Sequence, residues 1–332
     1  MMHFTTRRTT LQRIAFAASA LAAGPRAFAQ SSDWPKAGPV RLVVPFTAGS
    51  GTDILARTLG EKLGPLVGAQ MVIDNKPGAG GTLGAAQVAK SAADGYTLLV
   101  HSSGHLVNPS LYPKLNYDTL KDFEGITPLA SLPNVLVVAP GKGYKDVADL
   151  LAQVRAKPDA FTYASAGNGS ATHMNAEQFR VAAGIKALHV PYRGTPEALT
   201  ETIAGRIDWF FAPLISALPL IKDGKLQALA VGTAARSPVL PGVPSITETP
   251  GLKDAAYTFW VGLFAPAKTP RPVIDKLHDD ALKVLAMPEV RERLEKLGAT
   301  PMPMAQAAFA KFLDDETAAA TKLVKAAGIK VE

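Results

Sequence analysis

The sequence of 332 residues contains no cysteine. This absence excludes disulfide frameworks, thiolate nucleophiles, cysteine-based zinc sites and iron–sulfur ligation together. The G-x-S-x-G elbow of α/β hydrolases and the Gly-Lys-Ser/Thr ending of a phosphate loop are also missing. The histidines lack the spacing of a zinc site, so we expect no metal and no cofactor.

Acidic residues are absent from the first 29 positions, which hold four arginines. The pair Arg7-Arg8 precedes a mild apolar run from Ile14 to Ala23, and Ala27-Phe28-Ala29 forms an A-x-A cleavage site. This pattern predicts a signal peptide over residues 1–29, cleaved after Ala29, and the paired arginines resemble a twin-arginine signal. Export by the general route is the alternative.

The formal charge of +7 belongs mostly to this segment. Its four arginines contribute +4, which leaves +3 for residues 30–332. Such a small excess is not typical of a nucleic-acid-binding protein. Since no other stretch approaches 18 consecutive apolar residues, we do not expect the mature protein to be embedded in a membrane.

Short apolar runs alternate with segments of helical periodicity along the rest of the chain. Strands are predicted at 40–44, 70–74, 96–100, 134–138, 162–165, 188–191, 207–211, 227–231 and 259–264. Helices are predicted at 54–63, 82–90, 146–157 and 171–183, from Thr195, and in three segments after residue 269. This order is typical of α/β proteins with mostly parallel sheets.

A fresh alternation after Pro140 and a return to helices after residue 264 predict two lobes. We place lobe 1 at 30–131 plus 256–332 and lobe 2 at 132–255. Two crossing segments between them would form a hinge, with a ligand cleft at the carboxyl ends of the strands.

Three glycine-rich loops follow predicted strands, at 45–53, 75–84 and 165–173. The first and third open helices, so their free amides and the helix dipole would favour an anion such as a carboxylate. Any one such loop, taken alone, is more often simple turn chemistry.

Few side chains suggest catalysis. Asp53 fits either a base or a helix N-terminal residue, and Asp208 either lines the cleft or carries a charge at a strand end. His101 and His105 have an i,i+4 spacing without an intervening glutamate, so we expect them to line a loop or pocket rather than to form a metal site.

Several motifs, in order, resemble the tripartite tricarboxylate transporter substrate-binding proteins, also called the Bordetella uptake gene family. The matching segments are Pro45-Phe46-x-Ala48-Gly49-x-x-x-Asp53-x-x-Ala56-Arg57, Asn75-Lys76-Pro77-Gly78-Ala79-Gly80-Gly81, Asp94-Gly95-Tyr96-Thr97-Leu98, Asn108-Pro109-Ser110-Leu111-Tyr112, Tyr163-Ala164-Ser165-x-Gly167-x-Gly169-Ser170-x-x-His173, Val190-Pro191-Tyr192-Arg193-Gly194 and Leu263-Phe264-Ala265-Pro266-Ala267. The chain departs from the family at Gly49-Ser50, where Gly-Gly is common, and at His101 and His105.

The resemblance implies an α/β, two-lobe periplasmic-binding-protein type II fold (a venus flytrap) without enzymatic activity. The expected ligand-binding residues are Phe46, Ala48, Gly49, Ser50, Thr52, Asp53, Ser102, Ser165, Gly167, Gly169, Ser170, His173 and Asp208. Ser50, from the first loop, and Ser102, from the segment after the third predicted strand, are added to those that the resemblance implies.

We therefore expect a monomeric periplasmic receptor that captures a small organic carboxylate. Its partners would be the large and small subunits of a membrane permease. The alternatives are a secreted α/β hydrolase-type or sugar-phosphate enzyme using Asp53 or His173, and a ligand-sensing receptor for a signalling kinase.

Overall fold

The computed structural model describes residues 34–329, and residues 35–329 belong to one compact unit. The predicted signal peptide lies outside the described residues. Within the described range, no helix is both long and apolar enough to span a membrane.

The strands form two sheets. The first has the order β2-β1-β3-β10-β4-β11, in which β1 pairs in parallel with β2 and β3, and the last three strands pair antiparallel. Its strands are β1 (Val40–Val44), β2 (Met71–Asn75), β3 (Thr97–Ser102), β4 (Phe123–Leu132), β10 (Phe259–Pro266) and β11 (Thr300–Pro301).

The second sheet has the order β7-β6-β8-β5-β9, with β7, β6 and β8 parallel and β5 antiparallel to both of its neighbours. Its strands are β5 (Asn134–Val138), β6 (Thr162–Ser165), β7 (Leu188–Pro191), β8 (Trp209–Pro213) and β9 (Gln227–Val231). Side chains of β5 and β8 alternate between two hydrophobic clusters, one on each face. Because helices cover both faces, these strands are continuous hydrophobic runs.

Helices connect and cover the strands. They are α1 (Gly51–Val67), α2 (Thr82–Ala89), α3 (Gly104–Leu111), α4 (Val147–Ala156), α5 (Ala171–Ala183), α6 (Thr195–Ile203), α7 (Leu214–Lys222), α8 (Arg271–Ala286), α9 (Pro288–Lys296) and α10 (Gln306–Ala327). The sequence predicts that α1 stops at Gly64-Pro65, but it continues to Val67. Pro65 lies in the last turn, where it sacrifices one helical hydrogen bond, and Gly68 ends the helix at φ 84°.

The chain crosses between the sheets twice. Pro133 alone separates β4 from β5, and the return runs through residues 232–258. All strands from 134 to 231 lie in the second sheet, whereas the lobe boundaries at 131/132 and 255/256 stay predictions.

A buried polar contact ties the two crossings together. The Gly232 amide donates to the Asn134 carbonyl oxygen at 2.8 Å. Asn134 Nδ2 donates in turn to Asn175 Oδ1 of α5 at 3.0 Å, and both asparagines are fully buried. The backbone at Gly232 therefore lies directly against the Asn175 side chain.

We expect Gly232→Ala to destabilise the protein, because an added methyl group would lie 2.7 Å from Asn175 Oδ1 and 3.3 Å from the Asn134 carbonyl oxygen. Overpacking of this kind costs about 1–3 kcal/mol of the free energy of unfolding. Gly242→Ala is the matched control, since a methyl group there meets nothing within 4 Å. Thermal unfolding followed by circular dichroism measures both, and equal melting temperatures would contradict this reading.

Candidate functional site

The first element of the site is the loop that joins β1 to α1. Ser50 is the N-cap residue of α1, and Gly51 and Thr52 are its first two helical residues. The amides of Gly51 and Thr52 precede the first hydrogen bonds within the helix and donate to no acceptor among residues 34–329. These donors are therefore available to a ligand above the helix.

The Asp53 side chain holds this loop in place through hydrogen bonds. Its Oδ2 accepts hydrogen bonds from the Gly49 amide and from Arg57 Nε, both at 2.9 Å, and its Oδ1 accepts from Asn75 Nδ2 at 2.9 Å. Burial opposes ionisation, but these hydrogen bonds outweigh it and hold the pKa of Asp53 below its usual value.

The second element is the loop that joins β6 to α5. Ser170 caps α5, where its Oγ accepts from the His173 amide at 3.3 Å. The following amides, of Ala171 and Thr172, have no acceptor in the described part of the chain. Thr172 Oγ1 accepts from the Ala166 amide at 2.9 Å and so holds the loop.

His173 occupies the same place in this loop as Asp53 does in the first. The Gly169 amide donates to His173 Nδ1 at 3.1 Å, as the Gly49 amide donates to Asp53. In both loops a glycine amide thus bonds a side chain four residues later, within Gly-Ser-Gly-Thr-Asp and Gly-Ser-Ala-Thr-His. Burial lowers the pKa of His173 to about 3, so Nδ1 keeps its accepting lone pair at neutral pH.

Ser165 and His189 lie behind the second loop. Ser165 Oγ is 2.6 Å from His189 Nε2 and accepts from the Gly167 amide at 3.0 Å. The rings of His173 and His189 stack with centroids 3.9 Å apart, and Tyr163 stacks on His189. These side chains support the loop from within lobe 2.

Both loops face one cavity between the two sheets. Residues from both sides line it: Phe46, Ser50, Gly51, Thr52, Ser102 and Phe259 from the first, and Ala166, Ser170, Ala171, Thr172, Thr195 and Pro213 from the second. None of these side chains carries a charge. Ser102 Oγ is buried there without a hydrogen-bond partner among residues 34–329.

The cleft is closed in this structure. The Thr195 amide donates to Ser50 Oγ at 3.2 Å, and the Thr47 hydroxyl donates to Glu197 Oε1 at 2.8 Å. The Tyr112 hydroxyl donates to the Asn168 carbonyl oxygen at 3.1 Å. The cavity measures about 20 Å³, room for about one water molecule, so a larger ligand enters only when the lobes move apart.

The expected site residues fall into two groups. Those that line the cavity are Phe46, Ser50, Thr52, Ser102 and Ser170. Those outside its lining are Ala48, Gly49, Asp53, Ser165, Gly167, Gly169, His173 and Asp208. Except for Asp208, the second group belongs to the two loops and their supports.

Asp208 requires a correction. It directly precedes β8. Its Oδ2 accepts a hydrogen bond from the amide of Thr162, the first residue of β6, at 2.8 Å, and its Oδ1 accepts one from Lys142 Nζ at 2.7 Å. The cleft lies at the other ends of these parallel strands, where Ser165 and Pro213 are. Asp208 is thus a strand-end charge, the alternative that the sequence left open.

His101 and His105 also lie outside the cavity lining. His105 packs among the rings of Tyr117, Phe123 and Phe264, and burial lowers its pKa well below its usual value. His101 lies edge-on to Phe46 and behind it, and burial lowers its pKa to about 3. Both are therefore neutral packing groups.

Sequence reasoning missed several lining residues: Gly51, Ala166, Ala171, Thr172, Thr195, Pro213 and Phe259. A usable signal existed for Thr195, because Thr195-Pro196 marks the start of a helix directly after a strand. The helix begins at Thr195 itself, with Gly194 as the N-cap.

Two α/β lobes joined by two crossings, with a cleft lined by helix N-termini, define a solute-binding protein of the periplasmic-binding-protein type. The family described as "Tripartite tricarboxylate transporter family receptor" matches residues 55–329. The chain belongs to this family, and the resemblance seen in its motifs is confirmed.

Solved structures of similar proteins agree. Periplasmic binding protein BugD is 32% identical, with a TM-score of 0.85 over 89% of this chain and 99% of that one. Rpa4515 of R. palustris, solved with adipate, is 33% identical, with a TM-score of 0.86 over 90% and 99%. MatC of Rhodopseudomonas palustris, with bound malate, is 32% identical, with a TM-score of 0.82 over 87% and 99%.

The Asp53 network predicts a defined pH dependence. Because folding lowers the pKa of Asp53 below the ordinary 3.8, its contribution to stability is present above that value and is lost as the pH falls through the folded pKa. We expect Asp53→Asn to lower the free energy of unfolding by about 1.5–3 kcal/mol at pH 7, and the deficit to shrink towards pH 3.

Urea unfolding at a series of pH values measures this deficit. Asp314→Asn, at an exposed position on α10, is the control and should match the wild type throughout. A deficit for Asp53→Asn that stays constant from pH 7 to pH 3 would show that ionisation of Asp53 contributes nothing.

Proposed function

We propose that this protein is a periplasmic receptor that captures a small carboxylate, most simply a dicarboxylate, between its lobes. The observation that carries the proposal is the pair of helix N-termini, α1 and α5, which present free amides to one cavity. Such termini favour anions through their unpaired N–H groups and the helix dipole.

The neutral lining supports carboxylate binding in a specific way. With no lysine or arginine in the lining, an anion would be held by amides and by hydroxyl groups such as those of Ser102, Ser170 and Thr172. Hydrogen bonds to a charged acceptor inside a closed cleft are stronger than those in water. The malate and adipate in the related proteins are dicarboxylates and agree with this chemistry.

Binding, not catalysis, is the activity that fits these residues. Among residues 34–329, an arrangement that would suit an enzyme is the pair of Ser165 Oγ and His189 Nε2, 2.6 Å apart. Ser165 is fully buried, already accepts from the Gly167 amide, and does not line the cleft. A substrate in the cleft would not reach this hydroxyl.

The closed cleft suggests how a ligand would be handed on. A receptor that must open to admit or release its ligand can present the closed form to a membrane partner. By its family, we propose that this partner is a tripartite tricarboxylate permease with one large and one small subunit.

We expect Ser102→Ala to weaken dicarboxylate binding by about tenfold or more, because a charge-assisted hydrogen bond to the ligand is lost. Isothermal titration calorimetry with malate and adipate measures the dissociation constants. Ser91→Ala is the control, since the Ser91 hydroxyl lies outside the cleft lining and donates to the Gln87 carbonyl oxygen of its own helix end.

A thermal-shift screen over dicarboxylates, amino acids and sugars tests the ligand class itself. The proposal predicts stabilisation by at least one carboxylate. Stabilisation by a sugar, with none by any carboxylate, would refute it.

A further inference from the structure

A second cavity lies on the far side of the returning crossing segment. Phe259 lines the cleft, whereas Tyr257 and Thr258, immediately before it, line this other space. Its volume is about 230 Å³, against about 20 Å³ for the closed cleft. We call it the hinge-side cavity; its walls are Ser103, Val107, Met174, Gln178, Ala256, Tyr257, Thr258, Glu316, Ala319, Ala320 and Leu323.

The wall combines a polar part, to which Ser103, Gln178, Thr258 and Glu316 belong, with an apolar part. Val107 of α3 and Met174 of α5 are buried side chains of one hydrophobic cluster, and Leu323 of α10 packs against that cluster. The space exists because α10 presents alanine at 319 and 320 where larger side chains would fill it. A short hydrocarbon chain would replace water against these side chains.

One carboxylate, that of Glu316, lines the hinge-side cavity. Glu316 Oε2 accepts a hydrogen bond from Trp260 Nε1 at 2.8 Å, which fixes its orientation. Within residues 34–329, Glu316 forms no ion pair with a lysine, arginine or histidine. No cationic side chain of these residues therefore contacts the carboxylate, and its side-chain hydrogen bond comes from Trp260.

Tyr257 completes the polar end of the cavity. Burial raises the pKa of Tyr257 to about 12; the Ser103 hydroxyl opposes this rise and the Glu316 charge adds to it. The phenol is therefore neutral at physiological pH and leaves the carboxylate as the single charge. An aromatic ring beside a carboxylate is favourable for a cation.

We infer that the hinge-side cavity is a second ligand site, distinct from the cleft, that takes a small alkylammonium ion. The ammonium group donates to Glu316 and lies beside Tyr257, and the alkyl chain packs against Val107, Met174 and Leu323. This site is independent of the proposed carboxylate site in both its residues and the sign of its ligand's charge.

Binding of n-butylammonium chloride, measured by thermal shift and calorimetry without any carboxylate, tests the site. Glu316→Gln removes the charge but keeps an amide oxygen that still accepts from Trp260. We expect it to weaken n-butylammonium binding by about tenfold or more, as befits the loss of a charge-assisted hydrogen bond. Asp314→Asn, on the same helix but facing solvent, should bind like the wild type.

Ala320→Leu supplies a second variant, because the larger side chain fills the cavity without altering any charge. It should abolish n-butylammonium binding and retain the response to dicarboxylates.

Three results would each overturn the inference. They are no binding of n-butylammonium by the wild type, equal binding by the wild type and Glu316→Gln, and binding of 1-butanol as tight as that of n-butylammonium. Failure of carboxylate binding alone would leave this site intact.

Discussion

The structure depends on leaving backbone donors unpaired at two helix N-termini that face each other. Gly51 and Thr52 of α1 and Ala171 and Thr172 of α5 carry amides that the helices themselves cannot satisfy. Burying such donors is costly unless an acceptor meets them. Under the proposed function, an anion between the lobes would satisfy both sets at once, so that lobe closure and anion binding would favour each other.

The supports of the two loops show how one requirement is met twice with different chemistry. In each loop, a glycine amide donates to a side chain four residues later. The acceptor is the carboxylate of Asp53 in the first loop and the imidazole Nδ1 of His173 in the second. Asp53 gains its acceptor strength from ionisation, which Arg57 and Asn75 favour, whereas burial keeps His173 neutral. Both residues are better described as positioning groups than as ligand contacts.

Periodicity and helix-start signals predicted most elements of the fold, because each strand is a short apolar run and each helix has one apolar face. They missed β4, whose Gly125 and Pro128 interrupt the strand pattern. β8 begins two residues later than predicted, since sequence alone does not fix where in an apolar run the pairing begins. Asp208 lies at the amino end of this strand with either start, and the resemblance alone had placed it at the cleft. The motifs predicted where the loops are. They did not predict which loop residues line the cavity, because this depends on hydrogen bonds within the loop, such as the one from the Gly49 amide to Asp53.

The returning crossing segment separates the two cavities, since Phe259 lines the cleft and Tyr257 lines the hinge-side cavity. The two crossing segments meet at Asn134 and Gly232, where the backbone lies directly against the buried Asn175 side chain. The backbones of Gly104 and Gly169, one from each side, approach so closely that a methyl group at Gly104 would lie 2.7 Å from the Gly169 oxygen. The closed cleft holds only about 20 Å³, while about 230 Å³ remains on the other side of Tyr257. Residues of both lobes line both cavities, but no residue lines the two at once, so a substitution such as Ala320→Leu changes the wall of one and leaves the wall of the other as it is.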